Sequence, residues 1–412
     1  MLEAGFPAGR PRADKSRQLW LHRTGMTCSP KRMADELSPP TQRTRLVSLD
    51  ALRGFDMMWI MGGDSIGGAT AAALGEHHWF AEQLEHVTWE GCRFYDLIFP
   101  TFVFLAGVSA VFSLGRIREQ SGKDAAFVRL LQRALMLYVL GLFYYGLWSK
   151  GFGQIRWLGV LQRIALSYLG AGFCFIYFRP RTLVAITITI LAGYWAALTF
   201  IPVPGFGAGD LKEGHNLTNW IDANYLPGYK WDKTHDPEGL LSTFPAIATG
   251  LLGVFAGLVL RDDTRRPTGK ALWLISYSAA LLAAGYAFSF AHPIIKKLWT
   301  SSYVLVAAGW SSFALALFYY VIDVQNWKRW CTPFVWVGLN PITIYLACNL
   351  VKFDPLAMRL VGGPTTQNGV TVWHGLGAVN PGLGAFAVGI LGIGWCFWLA
   401  WLLNRRRIYL RL

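Results

Sequence analysis

One histidine, three charges packed into seven residues and a lone arginine inside an apolar run are the residues whose types and spacing could do chemistry. His86 stands in GlnLeuGluHisValThrTrpGluGly (83–91), and its ordinary pKa suits proton transfer near neutrality. Asp64, in MetGlyGlyAspSer (61–65), is the carboxylate that could fix the ring's tautomer, and the paired glycines before it permit close backbone approach. By spacing alone His86 is either such an acid–base group or a structural histidine. Asp50, Arg53 and Asp56 recur at i, i+3 and i+6, so Arg53 can pair with either carboxylate on one helix face, as a structural ion pair or a ligand contact. Gln162 and Arg163 follow GlyValLeu (159–161), and an arginine there needs a distant partner or an anionic ligand. In GlyLeuAsnProIle (338–342), Pro341 frees a carbonyl and Asn340 can hydrogen-bond to another helix. Asp96, opening AspLeuIlePhePro (96–100), has the position of a helix cap.

The elements that must position these groups are membrane helices. A composition 53% hydrophobic, with 19 Trp among 412 residues, lies outside the soluble globular range. Apolar runs long enough for a spanning helix fall near 47–63, 97–115, 130–148, 157–178, 182–201, 241–260, 272–290, 303–322, 333–352 and 384–403. The expected fold is therefore all-α, a polytopic transmembrane bundle of about ten spans over 46–412. Each ionisable group inside such a span costs about 2.5–3.5 kcal/mol on insertion scales, which makes Arg53 and Arg163 functional candidates.

Lys and Arg fix the orientation. With the N-terminus inside, cytoplasmic segments carry 26 of them and outer segments 10, which puts both termini in the cytoplasm. The formal charge of +14 follows from this distribution, so no nucleic-acid partner is expected. Residues 1–45 have the composition of a disordered basic tail, for which Met26 and Met33 are alternative starts. Three outer stretches, 64–96, 202–240 and 353–383, are where acceptor chemistry could occur, and their aromatic content argues for order. Six scattered Cys without a CxxC pair indicate neither a metal site nor a disulfide framework.

Taken together, ArgLeuValSerLeuAspAlaLeuArgGly (45–54), HisValThrTrpGluGly (86–91), AspLeuIlePhePro (96–100), GlyValLeuGlnArg (159–163), AspProGluGlyLeuLeuSerThr (236–243) and GlyLeuAsnProIle (338–342) resemble, in order, the heparan-alpha-glucosaminide N-acetyltransferase family. The resemblance implies transfer of an acetyl group from acetyl-CoA to a glucosamine-like amino sugar on the extracytoplasmic side. It implies His86 as the active-site histidine, with Asp64 at the position of a family asparagine. Arg53, Arg156, Gln162, Arg163 and Asn340 become contacts for acetyl-CoA, and Trp89, Glu90, Asp236 and Glu238 contacts for the acceptor. The basic tail in place of a long lumenal part implies a bacterial plasma membrane. Membrane lipid is the surrounding partner, and a homodimer is admitted as an assembly state. The competing reading is a permease in which Arg53, Arg163 and Asn340 line a solute path; no paired inverted repeat supports it.

Reporter fusions at Leu412 and within 205–235 are expected to report opposite compartments. The same compartment at both sites rules out the ten-span arrangement.

Overall fold

A backbone in lipid must satisfy its own hydrogen bonds, and among the described residues each of the ten apolar runs does so mainly as helix. The protein is represented by a computed structural model that describes residues 46–74, 77–147, 151–351, 353–367 and 370–409. The tail 1–45 and the side chain of Asp64 lie outside the described residues. The first half holds α1 (Val47–Leu74), α2 (Trp79–Gln83), a 3₁₀ turn (Phe94–Leu97), α3 (Ile98–Tyr144), α4 (Val160–Tyr177), α5 (Pro180–Phe200) and α6 (Leu217–Tyr225). Then come α7 (Thr243–Arg261), α8 (Pro267–Ser289), α9 (Ser301–Phe318) continued by a π turn (Tyr319–Val324), α10 (Thr332–Leu339) and α11 (Pro341–Val351). The chain ends in α12 (Phe353–Val361), an antiparallel hairpin of β1 (Pro364–Gln367) and β2 (Val370–Trp373), α13 (Leu376–Val379) and α14 (Pro381–Arg405).

Seven of the described helical segments are long and apolar enough to cross a membrane. One of them, Phe94–Tyr144, contains the expected span 97–115 and most of the span 130–148, joined where Gly122 takes φ 88° and ψ 177°. Three boundaries differ from expectation. The first helix runs on to Leu74 rather than stopping at 63, so the outer stretch begins later. The run 333–352 is two helices, because Asn340 (φ −133°, ψ 44°) leaves helical geometry and Pro341 has no N–H to continue the ladder. Finally, 353–383 is not purely helical or loop, since it contains the hairpin.

Glycines decide how closely the helices cross. On α1 and α10, a Cβ at Gly54 would stand 1.8 Å from the Phe334 carbonyl oxygen, and one at Gly338 would stand 1.8 Å from that of Asp50. A seam of the same kind joins α3 to α7, where a Cβ at Gly253 would come within 2.0 Å of the Phe104 carbonyl oxygen. In lipid there is little hydrophobic drive between helices, so such close backbone packing carries the association. Phe104 and Leu105 of α3 are fully buried in one core cluster, and Leu114 and Leu130 are fully buried in another together with Leu251 of α7. The N-terminus of α1 is capped from far along the chain: the Asp323 carboxylate accepts Val47 N–H at 3.3 Å and Ser48 N–H at 3.1 Å, supplying acceptors that a helix start lacks.

Gly253→Leu is expected to lower the thermal midpoint in detergent well below that of Gly193→Leu, whose Cβ position meets nothing within 4 Å. Overpacking typically costs about 1–3 kcal/mol, and here the obstacle is backbone. Equal midpoints would show that the seam can open freely.

Candidate active site

Three segments far apart in sequence build the site. Gly63 of α1 leaves room for the Tyr95 ring, 2.4 Å from where a Cβ would be. Tyr95 in turn stacks on the His86 ring at 4.6 Å between centroids. The strand-like stretch after His86 is tied to the α8–α9 loop by Gly91 N–H donating to the Ile294 carbonyl at 2.8 Å and by a bridge between Glu90 and Ile295. That loop is anchored by Trp299, which is 1% exposed and donates its indole N–H to Thr249 at 3.1 Å.

His86 therefore meets a partner other than the expected one. Its Nδ1 lies 2.8 Å from Asp96 Oδ1, and the side chains are 53% and 1% exposed respectively. Asp96 also accepts the backbone N–H groups of Val87 and Arg93 on Oδ2, at 3.2 and 3.1 Å. Asp96 is therefore not the N-cap itself: it stands third in the 3₁₀ turn and accepts the N–H of Arg93, the N-cap residue, and the same carboxylate orients the imidazole. A carboxylate only accepts, so in the tautomer that bonds Asp96 the Nδ1–H donates and Nε2, 3.3 Å from Lys296 Nζ, is the ring's acceptor. Asp96 thus holds His86 in the way the sequence assigned to Asp64, whose own side chain lies outside the described residues.

Lys296 completes the cluster. Its Nζ lies 3.1 Å from Asp96 Oδ1 and 2.8 and 3.3 Å from the two His86 ring nitrogens, and burial lowers its pKa. In the sequence it counts only as one of two loop charges, because nothing local to IleIleLysLys signals a carboxylate 200 positions away. Cys92, the thiol of this region, is pushed up to about 12 by burial and so stays a protonated, poor nucleophile.

A second polar node lies between the α3–α4 connection and the segment before α7. Arg156 donates from Nε and Nη2 to Asp236 at 2.8 and 2.6 Å and from Nη2 to Glu238 at 2.6 Å, with the rings of Tyr145 and Trp231 about its guanidinium. Burial favours the neutral form of both carboxylates. At Asp236 the hydrogen bonds from Arg156 outweigh it and lower the pKa, whereas at Glu238 burial prevails and raises it. Gly239 lets Asp222 pack against the backbone, where a Cβ would be 1.9 Å from Oδ2; burial holds Asp222 up at about 6. Arg163, fully buried, donates to the Gly239 carbonyl at 3.2 Å and to Ser242 Oγ at 2.5 Å, while its Nε and Nη1 have no hydrogen-bond partner among the described residues. Gln162 donates to the Arg156 carbonyl at 3.3 Å. Glu238 is within Coulombic reach of both Arg163 and Lys296, which links this node to the His86 cluster.

The remaining predicted residues are spread more widely. Trp89 donates its indole N–H to the Leu211 carbonyl at 3.1 Å, and Glu90 is exposed. Arg53 pairs with Asp50 at 3.3 Å and also bonds Ser109. Ser109 lies eleven residues into α3, about 17 Å along the helix from its start. Asn340 donates to the Ile408 carbonyl at 3.1 Å. These two are not brought to His86. Ligand atoms of Glu213, Asp232 and His235 come within 4.8 Å of one another, and Lys297 Nζ stands 2.8 Å from Glu213 and 3.1 Å from Asp232, supplying positive charge there.

A family model described as heparan-alpha-glucosaminide N-acetyltransferase, catalytic, matches residues 45–283, a range that includes His86, Asp96, Arg156, Arg163, Asp236 and Glu238 but not Lys296. The chain is 30% identical over 400 residues to a protein of Mus musculus named heparan-alpha-glucosaminide N-acetyltransferase, covering 81% of this chain and 58% of the relative. A Homo sapiens protein of the same name is 28% identical over 360 residues, covering 73% and 52%. The chain thus spans little more than half the length of the relatives it matches.

The loop that presents Lys296 is acid-sensitive. His292 is 1% exposed, accepts Ser301 N–H at 3.3 Å, and burial lowers its pKa from 6.5 to about 4. Between those values the unfolded chain binds a proton that folded His292 refuses. Its neutral form is therefore costless above pH 6.5, and stability falls as pH drops through the window. A loss of about 2 kcal/mol by pH 5 follows. Thermal midpoints in detergent at pH 7 and pH 5 should differ for the native chain and converge for His292→Gln; an unchanged gap assigns the acid sensitivity elsewhere.

Proposed function

We propose, because the chain belongs to the heparan-alpha-glucosaminide N-acetyltransferase family, that it is a membrane-embedded acyltransferase moving an acetyl group from acetyl-CoA to an amino sugar on the extracytoplasmic side of a bacterial plasma membrane. The observation that carries this reading is the half-exposed His86 imidazole held through Nδ1 by the buried Asp96 carboxylate. An amine attacks a thioester carbonyl only when neutral, so its proton must be accepted as the C–N bond forms. Nε2 of His86 is the acceptor in this reading, Asp96 stabilises the resulting imidazolium, and the departing thiolate is protonated in turn. Lys296 is the cation nearest the negative charge that develops on the carbonyl oxygen, where fixed charge is worth most.

A two-step route uses the same groups. Nε2 attacks the thioester, the thiolate leaves, and the acetylated ring passes its group to the amine. Placement of the donor follows from the spread of its expected contacts: the anionic end of acetyl-CoA near Arg53 and Asn340, and the thioester end toward His86, with Arg156, Gln162 and Arg163 beside it. The unpartnered N–H groups of Arg163 favour an oxygen-rich ligand at that end. Trp89, Glu90, Asp236 and Glu238 border the acceptor side; Asp236 and Glu238 act there through the electrostatic balance of Arg156.

His86→Ala is expected to lower acetyl transfer by about 10²–10⁴-fold, the usual worth of general acid–base catalysis, with acetyl-CoA binding largely retained. Asp96→Asn should fall between the variant and the native enzyme. Mass spectrometry after incubation with acetyl-CoA alone separates the routes, since only the two-step route acetylates His86. Near-normal turnover by His86→Ala removes it from the mechanism.

A further inference from the structure

The outer stretch between α5 and α7 turns three ligand atoms toward one another, and the chemistry proposed for His86 uses none of them. Glu213 stands in the connection before α6, which Trp89 anchors by donating to the Leu211 carbonyl. Asp232 and His235 stand at the two ends of a tight turn: Asp232 N–H donates to the His235 carbonyl at 3.1 Å, and Lys233 between them takes φ 66°. The flanks of that turn are fixed by Asp236, which Arg156 holds and which accepts Trp231 N–H at 3.0 Å. His235 Nε2 is thereby brought to 3.5 Å from Asp232 Oδ2 and to 3.5 Å from Glu213 Oε1.

His235 is the group that points to a ligand. Its side chain is 3% exposed, it is aimed at both carboxylates, and Nε2 has no hydrogen-bond partner among the described residues. A separation of 3.5 Å is longer than an N–H···O bond, about 2.7–3.2 Å. It is close to the edge of a tetrahedron around a zinc-like ion, where bonds of about 2.0–2.2 Å put ligand atoms about 3.3–3.6 Å apart. The other ring nitrogen, Nδ1, lies 3.1 Å from Thr234 Oγ1. Donation from Nδ1 to such a partner orients a metal-binding imidazole and leaves Nε2 bare. A bare nitrogen facing two carboxylate oxygens is repelled unless a cation joins the three. Lys297 brings one positive charge to those same oxygens, at 2.8 Å from Glu213 and 3.1 Å from Asp232, which balances only one of the two carboxylates. Its ammonium also has the Trp89 ring beside it, 5.9 Å to the centroid, as a second resting place.

We infer that Glu213, Asp232 and His235 form a binding site for one divalent transition ion of the zinc class, and that Lys297 is the cation that holds the two carboxylates whenever the ion is away. One imidazole and two carboxylates without a thiolate suit such an ion, and a double charge matches the two acids where a single ammonium does not. Binding moves the ammonium off the oxygens toward the Trp89 face, and three protein ligands leave a fourth position for water. The ion ties the connection before α6 to the turn at 232–235. The site stands independently of the acyltransferase reading.

The test uses the full chain, purified in detergent through an affinity tag without histidine, stripped with a chelator and titrated with Zn²⁺ alone by calorimetry and with Co²⁺ by absorption spectroscopy. One equivalent of zinc should bind, and Co²⁺ should give the visible bands of tetrahedral coordination, a readout that needs no variant. Thr234→Val should weaken zinc binding by about 10–100-fold, the usual worth of a group that orients a ligand. His235→Ala and Asp232→Asn, each retaining the native circular dichroism spectrum, should weaken it further still. Lys297→Met should instead tighten it by about tenfold or more, because the competitor for the two oxygens is gone. A native chain that takes up neither metal has Lys297 as its sole resident cation, and zinc retained undiminished by His235→Ala lies elsewhere; either result overturns the inference. Unchanged or weaker zinc binding by Lys297→Met overturns it equally, since the ion and the ammonium would then not share a seat.

Discussion

A carboxylate that has been taken out of water must be surrounded by donors, and Asp96 meets that demand with groups from two separate stretches of chain, 86–93 and the α8–α9 loop. Its oxygens take backbone N–H groups from Val87 and Arg93, an imidazole from His86 and an ammonium from Lys296. Leaving such a group buried and unpaired costs several kcal/mol, so the segment 86–96, the top of α3 and the α8–α9 loop are held in one arrangement by a single charge. Tyr303 of α9 adds a bond from its hydroxyl to the Asp96 carbonyl at 2.7 Å. The exposed imidazole is positioned as a consequence of satisfying the buried acid.

The Arg156 node obeys the same rule with a different balance. One guanidinium faces two carboxylates, and its planar fork satisfies Asp236 twice over and Glu238 once. The surplus acidity is shared with Arg163 and Lys296 through space. Glu238 thus stands within electrostatic reach of both clusters, and a change in one alters the electrostatics of the other.

Much of the helical architecture was legible in the chain, because apolar length and charge spacing act locally. Each expected run is mainly helical among the described residues, whereas the split of 333–352 at Asn340–Pro341 was read as one continuous span despite its proline. The extension of α1 to Leu74 was hidden by small and polar residues that a length criterion treats as loop. His86 was legible as chemistry, but its orienting carboxylate was not. Asp64 and Asp96 both lie near it in sequence, and only the fold of residues 86–96 back on themselves brings Asp96 onto Nδ1. Lys296 was invisible for a stronger reason: pairing across 210 residues leaves no periodicity to read. Arg163 was read as needing a distant partner or an anion, and its acidic neighbours are indeed remote in sequence: Asp236 and Glu238 from the segment before α7, and Asp222 from α6.

The cap on α1 has a consequence for biosynthesis. Asp323 is made 275 residues after Ser48, which at ordinary elongation rates of about 5–20 residues per second is roughly 15–55 seconds later. Through that interval α1 leaves the ribosome with its leading amide groups bonded to water. Only the arrival of the π turn that continues α9 replaces that water with a carboxylate, so the start of α1 is finished long after its own residues are made.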